Sequence, residues 1–82
     1  NFIKSRANAQ KQICIENLSQ IESAKQIWGV ENGKKDGDGA TDPDLFGGNR
    51  YMKHKPLCPA GGSYDLTSVG ENATCTIPGH SL

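Results

Sequence analysis

Three cysteines carry the clearest chemical signal in this sequence of 82 residues: Cys14, Cys58 and Cys75. In a small, glycine-rich chain, an even subset of cysteines favours a disulfide, and the odd cysteine needs another role. Cys58 opens the segment that we predict to be a β-hairpin, and Cys75 lies on its returning strand. A bridge between them would contribute about 3 kcal/mol by restricting the unfolded chain. We therefore predict a Cys58–Cys75 disulfide, with pairing through Cys14 or three free thiols as the alternatives.

The histidines offer a second use for these cysteines, because a zinc site could be drawn from Cys58, Cys75, His54 and His80. Structural zinc sites usually show a C-x-x-C or H-x-x-x-H pair, and the sequence has neither. We therefore expect no metal and no cofactor. Cys14 is interpreted as a small side chain of the core, and His80 as an exposed side chain or one that caps a strand edge.

A connector rich in carboxylates raises the question of calcium, which prefers flexible loops lined with oxygen ligands. An EF-hand loop that begins at Asp36 would need glycine at position 41 and glutamate at position 47, where the sequence has Thr41 and Gly47. A solvated linker with a helix cap is the favoured interpretation. The alternative is a calcium site made by Asp36, Asp38, Asp42 and Asp44.

The charges give little reason to expect a nucleic-acid or membrane-surface partner. Nine acidic and nine basic residues balance, and the sequence pI is about 6.9, so no global field attracts a polyanion. The stretch 50–55 is basic and contains one aromatic residue, but such a run usually forms a solvated face. Nucleic acid is not among the partners that we expect.

An enzyme is not expected either. The 82 residues make one domain, and a chain of this size buries only about 60% of its unfolded surface, so its core is thin. The sequence has no G-x-S-x-G nucleophile elbow, and neither histidine has an evident carboxylate partner.

The elements that must position these side chains divide into two halves. Residues 1–32 contain no proline and one glycine, whereas residues 33–82 hold nine of the ten glycines and all four prolines. The first half is predicted to be one long helix that stops at Asn32-Gly33. Its apolar face consists of Ile3, Ala7, Cys14, Leu18, Ile21, Ala24 and Trp28. The charged residues expected at its border or opposite it are Lys4, Lys11, Glu16, Glu22 and Lys25.

This helix is predicted to be longer than the body on which it packs. About 32 residues span roughly 48 Å, against about 30 Å for a domain of this size. Its N-terminal end must therefore protrude or be covered by something outside the chain, and the sequence looks like a piece of a longer protein. A second, weaker stripe is interpreted either as scattered surface residues or as a filament contact face for neighbouring helices. Its members are Phe2, Ala9, Ile13 and Ile27.

The second half of the chain supplies a cover for the helix. Residues 33–50 are predicted to be a variable connector with one short helical turn after Thr41. Residues 51–82 are predicted to be a small β domain whose hairpin pairs residues 63–69 with 74–77. Since a lone hairpin is marginal in water, its apolar face must lie on the helix. The fold class is α+β, in one globular domain. The predicted core is Cys14, Leu18, Ile21, Trp28, Tyr64, Leu66 and Ile77.

The sequence resembles type IV pilin-like proteins over nearly its whole length, apart from the connector. Residues 1–6 (N-F-I-K-x-R) are similar to the stretch that follows the membrane segment of such proteins. Residues 14–28 (C-I-x-N-L-x-Q-I-x-x-A-K-x-x-W) resemble the helix that continues it in small bacterial pseudopilins. Residues 58–64 (C-P-x-G-G-x-Y) and 74–80 (T-C-x-I-P-G-H) resemble their C-terminal β segment. The similarity is greatest to the major pseudopilins of type II secretion.

This resemblance implies a filament subunit without catalytic activity, made as a prepilin that is processed and methylated. It implies an anchor in the bacterial inner membrane through an N-terminal helix that precedes Asn1, with this domain in the periplasm or on an extracytoplasmic filament. The implied partners are further copies of the chain, other pseudopilins, the inner-membrane assembly platform and the prepilin peptidase. Major pseudopilins carry an acidic calcium loop near the C-terminus, whereas residues 70–82 have Glu71 as their only acid, so the resemblance does not by itself imply calcium binding there.

Two other classes of function stay open at the level of sequence. A pilin-like binding module for DNA uptake or adhesion would use the basic stretch 50–55. A small secreted disulfide domain, such as an inhibitor or toxin, is disfavoured by the long amphipathic helix and the low cysteine density.

Overall fold

The computed structural model describes the backbone of residues 2–82 and the side chains of residues 4–82. Four elements follow one another along the chain: helix α1 (Phe2–Glu31), helix α2 (Asp42–Leu45), strand β1 (Tyr64–Asp65) and strand β2 (Thr74–Cys75). A long helix with a small antiparallel sheet is an α+β arrangement, as the sequence predicts. The Cα atoms extend over 48 × 25 × 15 Å. The long dimension is close to the length of α1, which is about 45 Å for its 30 residues.

α1 is one uninterrupted helix because its segment contains no proline and only Gly29 as a weak helix former. It ends where the N–H of Asn32 donates to the carbonyl of Trp28 at 3.0 Å. Gly33 follows with a φ of +65°, the left-handed conformation that closes many helices. Among the residues that the structure describes, no helix is both long and apolar enough to traverse a lipid bilayer.

One face of α1 is buried from Cys14 to Trp28, and the second half of the chain packs against it. The buried residues of this face are Cys14, Leu18, Ile21, Ala24 and Trp28. The opposing buried residues are Leu45, Cys58, Tyr64, Leu66 and Ala73, with Ile77 half-buried at the edge. Residues 4–9 of the helix are all exposed, Ala7 among them, and the side chain of Ile3 lies outside the described residues. The body of the molecule therefore covers α1 from about residue 10 onwards.

Lys25 is fully buried, so the prediction that places it at the border of the apolar face or opposite it is wrong. Its Nζ donates to the carbonyl of Leu66 at 2.8 Å, to the Oγ1 of Thr67 at 3.0 Å and to the carbonyl of Glu71. The carboxylate of Glu22, one helical turn earlier, lies 2.8 Å from the same nitrogen. The ammonium thus exchanges its hydration shell for four protein oxygens, which is the condition under which a charge can be buried.

The hairpin is shorter than predicted, because the segment between its strands folds around the Lys25 ammonium. β1 and β2 pair antiparallel over only two residues each. Thr67 has a φ of +59°, which interrupts an extended strand and is costly for a β-branched residue. Residues 67–69 instead exchange backbone hydrogen bonds of 2.8–3.2 Å with residues 37–40 of the connector. The connector thereby completes the cover that the hairpin alone does not provide.

α2 is the short helical turn expected after Thr41. The N–H and the hydroxyl of Thr41 both donate to the Oδ2 of Asp44, at 2.9 and 2.8 Å. The Asp44 carboxylate therefore accepts hydrogen bonds from the residue that begins the helix. Donation from the backbone N–H of Thr41 lowers the pKa of the Asp44 carboxyl. The turn places Leu45 in the core beneath α1.

Burial predicts different costs for two isoleucines on α1. Ile21 is fully buried, whereas Ile13 is 48% exposed. Ile21→Ala should lower the free energy of unfolding by about 2–5 kcal/mol, because it leaves a cavity in a thin core. The matched change Ile13→Ala should alter it by no more than about 0.5 kcal/mol. Urea denaturation followed by tryptophan fluorescence measures both, and equal losses would contradict the packing described.

The Lys25 contacts predict a large loss of stability when only the charge is removed. Lys25→Met keeps much of the side-chain volume but removes the ammonium that joins Glu22 to three loop oxygens. The N–H of Ala73 and the hydroxyl of Thr67 stay as donors to these groups, but they do not replace the positive charge beside Glu22. Breaking a buried pair from one side costs about 3–5 kcal/mol. The exposed Lys11→Met serves as the control and should change the free energy of unfolding by less than about 0.5 kcal/mol. A Lys25→Met protein as stable as the parent would show that the ammonium does not organise the loop.

Candidate metal centre

Four side chains that can bind metals meet between the middle of α1 and the C-terminal segment. Cys14, Cys58, Cys75 and His80 each offer one ligand atom, and these atoms all lie within 4.8 Å of one another. Within the part of the chain that the structure describes, no other group of three or more His, Cys, Asp or Glu residues is gathered in this way. Three of the four residues are buried, and Cys75 is partly exposed.

Separate elements bring these four side chains together. Cys14 belongs to the buried face of α1, and Cys75 lies on β2. Cys58 begins a tight turn in which its carbonyl accepts a 3.0 Å hydrogen bond from the N–H of Gly61, whose φ is +87°. His80 is held in a second turn, where its N–H donates to the carbonyl of Ile77 at 3.2 Å.

Hydrogen-bond donors are aimed at two of the sulfurs. The hydroxyl of Tyr64 donates to the Sγ of Cys14 at 3.4 Å. Asn17 fixes that hydroxyl, because its Nδ2 donates to the Tyr64 oxygen and to the carbonyl of Leu57, both at 3.1 Å. The Sγ of Cys58 lies 3.7 Å from the Nδ1 of His80.

These surroundings move the pKa values of two of the thiols in opposite directions. Burial raises the pKa of Cys14 from 9.0 to about 12, against the lowering effect of the Tyr64 hydrogen bond. Burial also opposes ionisation of Cys58, but hydrogen bonds from the backbone N–H groups of Ala60 and Gly62 and from His80 outweigh it. They lower the pKa of Cys58 from 9.0 to about 6. The thiolate form is therefore favoured at Cys58 relative to Cys14.

The observed group differs from the zinc set considered in the sequence. His54 is exposed and does not belong to it, and Cys14 takes the fourth place instead. His80, expected to be exposed or to cap a strand edge, is instead buried, with 8% of its surface exposed. One signal in the sequence pointed to Cys14: it lies on the same helix face as the residues predicted to pack under the hairpin.

The predicted Cys58–Cys75 disulfide is not formed in the structure, where all three cysteines are free thiols. The two sulfurs nevertheless belong to one cluster and lie no more than 4.8 Å apart. Bridging in solution stays a prediction, as does pairing through Cys14.

The carboxylates of the connector are used separately from one another. Asp38 accepts from the N–H of Lys35 at 2.8 Å, Asp42 forms an ion pair of 3.1 Å with Lys55, and Asp44 caps α2. Among the described residues, Asp36, Asp38, Asp42 and Asp44 are not brought together as a metal-binding group.

The basic stretch 50–55 is partly engaged within the molecule. The hydroxyl of Tyr51 donates to the Oε2 of Glu31 at 2.6 Å, which fastens the stretch to the end of α1. The Nζ of Lys55 is paired with Asp42. Lys53 and His54 are exposed. The stretch therefore presents fewer free cations than its sequence indicates.

The weaker stripe of α1 is exposed where the structure describes it. Ala9 is exposed, Ile13 and Ile27 are 48% and 49% exposed, and the side chain of Phe2 lies outside the described residues. Beside Ile27, an open groove of about 350 Å³ runs between α1 and the residues Tyr51 and Met52. Val30, in the last turn of the helix, is 84% exposed.

No protein-family model matches this chain, and no curated protein or solved structure matches it with significance.

Close packing beside the cluster predicts that Gly62 is intolerant of a side chain. A Cβ at this position would lie 2.8 Å from the Sγ of Cys75 and 2.6 Å from the Cγ1 of Ile77, so these two side chains would have to move. Gly62→Ala should lower the free energy of unfolding by about 1–3 kcal/mol. At Gly48, an added Cβ meets nothing within 4 Å. Gly48→Ala should therefore leave the urea midpoint nearly unchanged, and equal midpoints for the two variants would contradict the packing at Cys75.

Proposed function

We propose that this chain is a structural subunit of a pseudopilus or type IV pilus-like filament that serves type II protein secretion. The observation that carries the proposal is a helix as long as the whole molecule, with apolar side chains exposed along a face that the β segment does not cover. The finer assignment of the fold as pilin-like belongs to the same proposal.

The exposed apolar side chains of α1 are arranged to suit another helix. Ile13 and Ile27 are fourteen residues apart, so at 100° per residue they lie within about 40° of each other around the helix and roughly 21 Å apart along it. Ala9, eighteen residues before Ile27 and therefore at the same angle around the helix, extends this face towards the N-terminal end. A row of apolar side chains that extends over about 21 Å of a helix can pack into the groove of a neighbouring helix. Because apolar area of this kind is costly to leave in water, a partner on this face would stabilise the protein.

The charges along α1 favour a second copy of the chain as that partner. Residues 4–11 carry three exposed cations and no anion, namely Lys4, Arg6 and Lys11. The exposed anions of the helix, Glu16 and Glu31, lie further along it. Two parallel copies displaced along their axes would therefore place the basic end of one helix beside an acidic part of the next. Axial displacement repeated from copy to copy generates a filament.

The resemblance to pseudopilins supplies the remainder of the proposal. The full-length protein would be held in the bacterial inner membrane by a segment that precedes Asn1, with the present domain in the periplasm or on the filament. Further pseudopilins, the inner-membrane assembly platform and the prepilin peptidase would be its other partners. The engaged state of Tyr51 and Lys55 favours this function over DNA uptake or adhesion through the basic stretch.

The test places a charge on the proposed contact face without disturbing the core. Ile13→Glu and Ile27→Glu, alone and together, would be made in the full-length protein in its native host, with filaments counted by electron microscopy of sheared surface fractions. The double variant should reduce filament yield at least tenfold, because each contact would bury an unpaired carboxylate.

The matched controls are Asn8→Glu and Gln26→Glu, which add the same charge at exposed positions about 100–140° around the helix from Ala9, Ile13 and Ile27. They should retain filaments and secretion. The 82-residue chain carrying each change should melt within a few degrees of the parent, which separates assembly from folding. Normal filaments from the double variant, or equal losses in the controls, would overturn the proposal.

A further inference from the structure

We propose that Cys14, Cys58, Cys75 and His80 form a structural Zn²⁺ site that ties the middle of α1 to the C-terminal segment. Three thiolates and one imidazole are one of the donor sets of closed structural zinc sites, in which four protein ligands leave no position for substrate. The site goes beyond the proposed filament role, and either inference can fail without the other.

The size of the cluster fits a tetrahedral ion. With Zn–S of about 2.3 Å and Zn–N of about 2.0–2.1 Å, a regular tetrahedron has edges of about 3.8 Å between sulfurs and about 3.6 Å between sulfur and nitrogen. The Cys58 Sγ and the His80 Nδ1 are 3.7 Å apart, and no two ligand atoms are more than 4.8 Å apart. Movements of an ångström or less would bring the four atoms to these edges.

The groups around the sulfurs are those that thiolate ligands require. Zinc ligands are usually oriented by hydrogen bonds from outside the coordination sphere. Here the Tyr64 hydroxyl, fixed by Asn17, donates to Cys14. This bond compensates part of the negative charge that a coordinating sulfur carries.

A zinc ion explains why all four side chains lie together, whereas a disulfide explains the placement of only two of them. A bridge between any two cysteines leaves the third sulfur and the buried imidazole beside it without a part in the bond. Three free thiols would leave unexplained why a histidine is buried beside them, with only 8% of its surface exposed. Coordination uses all four groups: as three Zn–S bonds form, each thiol that is still protonated releases a proton to solvent, and neutral His80 contributes a nitrogen lone pair.

The sequence spacing explains why no motif indicated this site. Short pairs such as C-x-x-C put two ligands on one turn, but the ligands here stand at positions 14, 58, 75 and 80. Only His80 and Cys75 are near neighbours in sequence. The helix and the hairpin must pack before the site exists, so metal binding and folding are coupled.

The test uses the 82-residue chain, purified under reducing conditions and stripped of metal, then titrated with Zn²⁺ and separately with Co²⁺. We expect one metal ion per chain by elemental analysis. Co²⁺ should give the visible absorption of a tetrahedral ion together with thiolate-to-metal charge-transfer bands. Zinc should raise the melting temperature and a chelator should reverse the rise, because the ion binds the folded state alone.

A matched pair of histidine variants locates the site. His80→Gln should weaken zinc binding at least tenfold and alter the cobalt spectrum, while His54→Gln, at an exposed histidine outside the cluster, should behave like the parent. Substituting the buried Cys14 is not a clean test, because a change there affects folding as well as metal binding. The cobalt spectrum of the parent therefore provides the evidence for thiolate ligands. A disulfide that persists in the metal-free parent under the reducing conditions, a stoichiometry below one ion per chain, or unchanged affinity in His80→Gln would each overturn the proposal.

Discussion

The burial of one face of α1 is the constraint on which the rest of this structure depends. The second half of the chain has two strands of two residues each and a helix of four, and none of these is stable alone in water. Its buried side chains, Leu45, Tyr64, Leu66 and Ala73, meet the helix residues between Cys14 and Trp28. The connector and hairpin therefore take their shape from the helix.

Two residues with polar contacts, Cys14 and Lys25, lie at different positions along the apolar face of α1. Cys14 joins the sulfur–histidine cluster, and Lys25, about 16 Å further along the helix, organises the loop between the strands. Each of these two residues demands specific partners, whereas apolar contacts tolerate sliding. Together they fix the position of the C-terminal segment both along the helix and around it. The direction in which Ile13 and Ile27 point is fixed by the same two residues.

The sequence predicted the elements better than the polar contacts between them. The long helix, its stop at Gly33 and the cap at Thr41 depend on local preferences, which a sequence displays directly. The sequence-based prediction misplaces Lys25 because it assigns a lysine to solvent by residue type, although at 100° per residue Lys25 lies between Leu18 and Ile21 around the helix. A loop of carbonyls buries its ammonium there. Membership of Cys14 and His80 in one cluster depends on how residues distant in sequence meet, and no local pattern encodes that. The hairpin was predicted too long because alternation continues through Thr67, where the backbone turns to serve Lys25.

The order of the core residues along the chain has a consequence for the protein during its synthesis. The helix is made before the residues that cover it, so its apolar face meets Tyr64, Leu66 and Ala73 only after those residues have been translated. The contacts between the helix and these residues join positions far apart in sequence, which slows folding and delays it until those residues have been made. Until then the nascent protein exposes the buried face and the second stripe of α1 together. During that interval the helix is an amphipathic segment whose apolar face is not yet covered by the rest of the chain.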